Sequence, residues 1–198
     1  MRLKIRQIKD MYVFGRRGEV NEYMRFFSSA ENLEAEYYEA GFEVGRLIAK
    51  GGHTLVFGGY TKGIMGAVAR GVQENGGKVI SVIPAVFAGK RPNFEDGATV
   101  ILADTMSSRK NKKIELSDAF MSLPGGIGTI DELFQVLAMN AVGESTKPVA
   151  ILMQGETQKA LSRFLSQAVK EGFVSRAVVN KVGFCENAEE LLNFYSGF

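Results

Sequence analysis

The most informative part of the chain reads Met121-Ser122-Leu123-Pro124-Gly125-Gly126-Ile127-Gly128-Thr129-Ile130-Asp131-Glu132-Leu133. Residues 118–123 form a short, mostly apolar run that ends at a proline, which predicts a buried strand. Three of the next four residues, 125–128, are glycines, which allow a sharp turn and a close approach to a ligand because they carry no Cβ. Leu133, Val136 and Leu137 then follow at helical spacing. A strand, a glycine loop and a helix N-terminus in this order predict an anion site, because free N–H groups and the helix dipole point at it.

The start of this helix carries a second signal. Thr129 and Glu132 have the S/T-x-x-E spacing of a capping box, which predicts that each side chain bonds the backbone N–H of the other. Asp131 has no periodic reason to be acidic beyond the helix dipole, so it either contacts a ligand or lies on the first turn without a further role.

The same alternation of strand, loop and helix recurs along the chain. Strands are predicted at 23–27, 54–57, 78–83, 99–102, 118–123, 147–153 and 182–185, and the clearest helices at 63–75, 156–169 and after the cap Asn187 with Glu190 three positions on. This order predicts a single α/β domain, a doubly wound, mostly parallel Rossmann-like sheet with helices on both faces. We place the domain at residues 21–198 and treat residues 1–20 as an extension, either an edge hairpin or an arm over a partner subunit.

Composition narrows the class of protein. The 198 residues are 45% hydrophobic and 23% charged, as in a globular domain, and the 24 basic and 22 acidic side chains nearly cancel. We therefore expect no nucleic-acid partner. No apolar run is long enough to cross a bilayer, and the single cysteine, Cys185, cannot form an internal disulfide, so we expect no membrane association and a cytoplasmic protein. His53 and Cys185 cannot build a metal site by themselves, and we interpret them as a strand-entry residue and a buried small hydrophobe.

Three motifs carry a resemblance to a known family. They are Pro124 to Glu132, read as Pro-Gly-Gly-x-Gly-Thr-x-x-Glu; Gly58-Gly59-Tyr60-Thr61-Lys62-Gly63-Ile64-Met65-Gly66; and Met106-Ser107-Ser108-Arg109-Lys110. They resemble the motifs of the LONELY GUY (LOG) family, the cytokinin riboside monophosphate phosphoribohydrolases often mislabelled as lysine decarboxylases. The resemblance spans roughly residues 23–195 and implies a Rossmann-like nucleotide-binding domain that commonly dimerises with its site near the subunit boundary.

The resemblance also implies the site. It makes Glu132 the catalytic carboxylate and Arg109 the catalytic arginine. The substrate-binding residues that it implies are Gly58, Gly59, Lys110, Gly125, Gly126, Ile127, Gly128, Thr129 and Asp131. Arginine suits this role because its planar fork grips phosphate or sugar oxygens with two hydrogen bonds and keeps its charge.

Two features of the motifs need their own interpretation. Tyr60 stands where the family usually has a third glycine; because tyrosine does not freely adopt positive φ, we expect a reshaped loop in which its ring either stacks on a base or forms a wall. Arg109, Lys110, Lys112 and Lys113 form a basic run, which is typical of a solvated helix face. The family resemblance selects Arg109 from that face, with Lys110 as a weaker second, and we interpret Lys112 and Lys113 as solvent-facing.

Two functions of different classes follow. The first is an N-glycoside hydrolase that converts a cytokinin or purine nucleoside 5′-monophosphate to free base and ribose 5-phosphate without a cofactor. The second is a non-catalytic carrier of a nucleotide or of the molybdenum cofactor. Decarboxylation fits poorly, because pyridoxal phosphate chemistry needs a Schiff-base lysine in a cofactor pocket and only Lys62 and Lys110 are expected near the motifs.

Overall fold

A computed structural model describes residues 22–26, 28–88 and 97–197. The predicted extension, residues 1–20, lies outside the described residues. The strands are β1 (Glu22–Phe26), β2 (Thr54–Phe57), β3 (Lys78–Pro84), β4 (Thr99–Ala103), β5 (Ala119–Ser122), β6 (Val149–Leu152) and β7 (Val182–Cys185). The helices are α1 (Ala35–Lys50), α2 (Gly63–Glu74), α3 (Met106–Glu115), α4 (Ile127–Ala141), α5 (Gly155–Lys170), α6 (Arg176–Val179) and α7 (Ala188–Asn193), and short 3₁₀ turns occupy Ala85–Phe87 and Phe194–Gly197.

The described strands form one parallel sheet in the order β4-β3-β2-β1-β5-β6-β7. The strand order reverses at β1, which pairs with β2 on one side and with β5 on the other. Ligands of such sheets bind beyond the carboxyl ends of the strands at this switch point. The predicted doubly wound, Rossmann-like sheet is therefore confirmed.

The core lies on both faces of the sheet. On β2, Leu55 and Phe57 pack into a cluster with α1, α2 and α7, whereas Val56 faces the opposite side. On β5, Met121 belongs to the first face and Phe120 packs against α4 and α5. This alternation follows from the two-residue period of a strand, and it explains why both strands read as continuous apolar runs.

The ends of the elements hold the loops that matter for function. β2 ends at Phe57, directly before its glycine loop, as predicted, and β5 ends at Ser122, one residue before the predicted end. The closing helix α7 has the predicted cap, because the N–H of Glu190 donates to Oδ1 of Asn187 at 2.9 Å. Within the described ranges, no helix combines the length and the apolarity that a membrane crossing requires.

Candidate functional site

A cleft of ≈ 280 Å³ opens beyond the carboxyl ends of β1, β2 and β3, between the N-terminal halves of α3 and α4. It contains six of the eleven predicted site residues, which are Gly58, Arg109, Lys110, Gly128, Asp131 and Glu132, and its other lining residues are Ser29, Tyr60, Met65, Ile83, Pro84, Phe87, Met106 and Ser107. The size is near the lower end of the range for ligand sites, about 300 to 1,000 Å³. Of the remaining predicted residues, Gly59, Gly125 and Gly126 lie in the loops after β2 and β5, and Ile127 and Thr129 lie in the first turn of α4.

Glu132 lies in the first turns of α4, with its side chain 12% exposed. Its Oε1 accepts a hydrogen bond from Arg109 Nη1 at 3.1 Å and another from Lys113 Nζ at 2.5 Å. No described residue donates to its Oε2. The carboxylate is thus fixed by one oxygen, and the other is left for the cleft that Glu132 lines.

The predicted capping box is wrong. Helix α4 begins at Ile127, two residues before Thr129, and its N-cap is Gly126, which offers no side chain. Thr129 therefore lies inside the first turn, and Glu132 turns toward α3 instead of back along its own helix. The glycines that free the backbone also allow the helix to start early, so the two residues no longer occupy the N-cap and N3 positions.

Arg109 is held at three points. Its Nε donates to the carbonyl oxygen of Val82 at 3.0 Å, its Nη1 to Glu132, and its Nη2 lies against Gly58, where an added Cβ would approach that nitrogen to 1.8 Å. The position of the Arg109 guanidinium therefore requires a glycine at residue 58. Burial lowers the pKa of Arg109 from its usual value, and the charge of Glu132 opposes the shift.

The prediction that Lys113 faces solvent is wrong. It is 1% exposed, one helical turn after Arg109 on the same side of α3, and it contacts Glu132. Sequence reasoning missed it because a lysine in a basic run is usually solvated; the i, i+4 spacing from Arg109 is the signal that could have found it. Burial lowers the pKa of Lys113 to about 8, with help from the charges of Arg109 and Lys110 and against the opposing effect of Glu132.

The N-terminus of α4 is open to an anion. No side chain caps it, and the N–H groups of Ile127, Gly128 and Thr129 donate to no described residue. The Thr129 hydroxyl is buried without a hydrogen-bond partner, and the loop wraps it so closely that a Cβ on Gly125 would lie 2.0 Å from its oxygen. By contrast, Thr105 caps α3, and the N–H of Met65 in α2 donates to the carbonyl oxygen of Ser28. Among the N-termini of α2, α3 and α4, that of α4 has the most backbone N–H groups without an acceptor in the described residues.

The loop after β2 accommodates Tyr60 without the strain expected for it. Positive φ falls on Gly59 (84°) and Gly63 (66°), and Tyr60 is not among the described residues with positive φ. Its hydroxyl donates to Oε1 of Glu31 at 3.2 Å, which turns the ring into part of the cleft wall. Gly59 is buried against Ile83 and does not line the cleft, so the structure brings Gly58 to the cleft and places Gly59 behind it.

Two further ion pairs lie at the rim. Lys110 Nζ contacts both carboxylate oxygens of Asp131, at 3.1 and 2.9 Å, and so links α3 to α4 above the Arg109–Glu132 contact. Lys62 donates to Oε2 of Glu31 at 2.9 Å. Each pair is partly exposed, so its contribution to stability is small. The first pair joins two helices, and the second joins the segment after β2 to the segment between β1 and α1.

Comparisons with known proteins show the family of this chain. A family model described as "possible lysine decarboxylase" matches residues 65–194. The chain is 33% identical over 167 residues to the cytokinin riboside 5′-monophosphate phosphoribohydrolase LOG2 of Arabidopsis thaliana, which covers 84% of this chain and 78% of that protein. It is 35% identical over 155 residues to the cytokinin riboside 5′-monophosphate phosphoribohydrolase of Rhodococcoides fascians, covering 78% of each. The chain belongs to the LOG family.

The three LOG motifs meet at one place in the structure. In chain order, the first motif contributes Gly58 to the lining of the cleft and the second contributes Arg109 and Lys110. The third contributes Gly128, Asp131 and Glu132. The motifs are far apart in the chain and converge because the strands that precede them, β2, β4 and β5, end at the same edge of the sheet. Lys113 lies just beyond the second LOG motif and joins the same cluster.

Solved structures with the same fold include a second class of protein. The molybdenum cofactor binding protein of Rippkaea orientalis superposes with a TM-score of 0.66 at 20% identity, covering 92% of this LOG-family chain and 98% of that one. At this identity the likeness describes the shared sheet and helices alone. Within the described ranges, no three His, Cys, Asp or Glu side chains converge as metal ligands.

Proposed function

We propose that this LOG-family protein is a hydrolase that cleaves the N-glycosidic bond of a nucleoside 5′-monophosphate, cytokinin or purine, to free base and ribose 5-phosphate. The relatives that match most of the chain bear the name of this reaction. The observation that carries the proposal is the orientation of Glu132, whose Oε1 is fixed by two cations while Oε2 is left to a cleft beside an open helix N-terminus.

The 5′-phosphate would bind at the start of α4. The unpaired N–H groups of Ile127, Gly128 and Thr129 and the helix dipole favour a dianion there, and the Thr129 hydroxyl supplies a further donor that the protein itself leaves unused. Charge agrees with this choice. The buried cluster holds two cations against one carboxylate, which leaves an excess positive charge beside the cleft when Lys113 is protonated.

Arg109 would supply a further contact to the substrate. With Nε on Val82 and Nη1 on Glu132, its Nη2 donates to no described residue and remains available for a phosphate or ribose oxygen. Because the other two nitrogens are held, the guanidinium binds without losing side-chain freedom.

Glu132 would supply the chemistry. Breaking the C1′–N bond leaves the bonding electrons on the base nitrogen and builds positive charge on the ribose, as in other glycosidic cleavages. A carboxylate near C1′ stabilises that charge and accepts a proton from the attacking water, whose oxygen forms the new bond to C1′. The base nitrogen takes up a proton, so the products are free base and ribose 5-phosphate.

The base would lie against the less polar side of the cleft. Met65, Ile83 and Phe87 form this side, and the Tyr60 ring adds a wall. Apolar and aromatic side chains suit the faces of a purine and of an N6-prenyl group alike. The lining therefore suits both an unmodified purine and an N6-prenylated one, and product analysis distinguishes them.

We also propose a cytoplasmic homodimer. Ile127 and Met106, beside the cleft, are 91% and 48% exposed, which suits an apolar contact with a second copy next to the site. The lone Cys185 is buried, and burial raises the pKa of its thiol to about 11, so it is unreactive and fits a reducing compartment.

The direct test is product analysis. The purified protein is incubated with adenosine monophosphate and with its N6-prenylated analogue, and free base and ribose 5-phosphate are separated by chromatography. We expect both products in equal amounts from at least one substrate, and less by a factor on the order of 100 or more from the Glu132→Gln variant. If neither nucleotide is cleaved but both raise the melting temperature, the protein is a nucleotide carrier and the hydrolase proposal fails.

Lysine decarboxylation is the competing enzymatic interpretation, and the placement of the lysines opposes it. Lys62 and Lys110 are paired with Glu31 and Asp131. Lys113, which the sequence did not place near the motifs, is buried and bonded to Glu132 and cannot present Nζ to an aldehyde. We expect no carbon dioxide from lysine and pyridoxal phosphate; robust turnover would overturn this exclusion.

A further inference from the structure

Lys113 is the feature that neither the motifs nor the relatives' names assign. Its side chain is among the largest fully buried side chains of the described residues, and the acceptor of its ammonium there is Oε1 of Glu132, at 2.5 Å. Because removing an ammonium from water is unfavourable, the buried Lys113 depends on its contact with Glu132.

The geometry around Glu132 explains what this lysine adds. Arg109 and Lys113 are four residues apart on α3 and donate to the same carboxylate oxygen from different directions. One donor alone would let the carboxylate rotate about its terminal bond and exchange its two oxygens, since that torsion is broad for Glu. Two donors on Oε1 oppose this rotation.

We propose that Lys113 is a positioning residue for the LOG reaction: its ammonium fixes Oε1 of Glu132 so that Oε2 is the oxygen presented to the ribose and the attacking water. The proposal rests on the hydrolase function proposed above. It concerns the orientation of the carboxylate, because Lys113 itself is buried and does not line the cleft.

A pH dependence follows from this placement. The charged groups that face Lys113 are Glu132 on α4 and Arg109 and Lys110 on its own helix; Glu132 favours the ammonium, and burial together with the two cations disfavours it. Because the pKa of Lys113 lies at about 8, the positioning ammonium is present below that pH and is lost above it. Turnover should therefore fall along an alkaline limb, while a bound phosphate, which adds negative charge, moves the limb upward.

The test compares two lysines that are adjacent in sequence. Lys113→Met removes the buried ammonium and keeps the unbranched four-atom stem of the side chain. Lys112→Met makes the same change at a partly exposed residue that pairs with Glu115 and does not contact Glu132. For Lys113→Met we expect kcat to fall on the order of tenfold with KM nearly unchanged, less than for loss of a direct transition-state donor because Arg109 still holds Oε1. Lys112→Met should match the wild type.

The pH profile separates positioning from packing. The wild-type kcat/KM, which reports the free enzyme, should decline around pH 8 to the level of Lys113→Met, whose own kcat/KM should be flat across the same range, so that the two curves converge. The corresponding limb in kcat should lie at higher pH, because the substrate phosphate is then bound. Lys113→Arg, which keeps its charge to high pH, should restore kcat and remove the limb near pH 8. If that variant does not fold, the convergence of the other two curves decides.

Two results would overturn the proposal, and they are distinguishable. If the wild type hydrolyses a nucleotide but Lys113→Met has wild-type kcat or retains the limb near pH 8, Lys113 is a structural residue and the hydrolase function stands. If the wild type hydrolyses no nucleoside monophosphate at any pH, the hydrolase function and the positioning role fail together.

Discussion

The chemistry of Glu132 depends on the difference between its two carboxylate oxygens. Oε1 is held by Arg109 and Lys113, and Oε2 receives no hydrogen bond from the described residues. The family motifs identified Glu132 and Arg109 from sequence, because glycine spacing and residue type survive in a linear pattern. They did not show that the two side chains contact each other, nor that Lys113 joins them, because burial depends on how α3 packs against α4.

Glu132→Gln tests the charge of this residue. The substitution keeps the size and removes the negative charge, so Arg109 and Lys113 would face each other without an anion. We expect turnover to fall on the order of 100-fold or more, and the free energy of unfolding to decrease by about 1 to 3 kcal/mol. Product analysis and urea unfolding measure the two effects. Unchanged stability together with lost turnover would contradict the buried ion cluster.

Gly58→Ala tests how Arg109 is positioned. A Cβ at residue 58 would lie 1.8 Å from Arg109 Nη2, so the guanidinium must move. We expect kcat/KM to fall on the order of tenfold or more. Adding Gly58→Ala to Arg109→Ala should cause no further loss, because the two changes act through one group. Additive losses in this double-mutant cycle would show that Gly58 contacts the substrate independently.

At the scale of elements, α4 shows where reading the sequence succeeds and where it fails. The strand, the loop and the helix after it were predicted from apolar runs and glycines, and all three are present. The predicted start of the helix was wrong, because a capping box requires Thr129 at the N-cap and the flexible glycines let the helix begin at Ile127. Likewise α3 has the composition of a solvated helix but buries Arg109 and Lys113, since an acidic partner on α4 compensates their charge.

Thr129→Val tests the anion site at the start of α4. Valine has the shape of threonine, and the hydroxyl that it removes is buried without a partner. We therefore expect the free energy of unfolding to stay equal or rise slightly. KM for the nucleotide should increase on the order of tenfold, the effect of one lost hydrogen bond to a charged group. Lower stability with an unchanged KM would place the phosphate elsewhere.

At the scale of the whole molecule, the alternation of strands and helices was sufficient to predict the fold. Seven strands were expected from the sequence and seven are found among the described residues, in one parallel sheet. The strands can be recognised in the sequence as continuous apolar runs because both faces of the sheet are covered. The cleft was predictable only in part, since its apolar wall, Ile83 and Phe87, comes from a segment without a motif.

The free energy of unfolding of the whole molecule should depend on pH because of Lys113. Its pKa is about 8 in the folded protein and near the ordinary 10.5 in the unfolded chain. Between these values the unfolded chain binds more protons, so Lys113 makes the free energy of unfolding rise with pH across that window. Urea unfolding of wild type and Lys113→Met should show a stability difference that shifts in favour of the wild type as pH rises. A difference independent of pH would mean that Lys113 has an ordinary pKa.

The central claim is that Glu132 faces the ribose of a nucleotide whose phosphate lies at the start of α4. A crystal structure of the Glu132→Gln variant with bound adenosine monophosphate tests it most directly. We expect the phosphate on the N–H groups of Ile127, Gly128 and Thr129, and C1′ next to the atom that replaces Oε2. A nucleotide bound with its ribose directed away from residue 132 would contradict the hydrolase proposal.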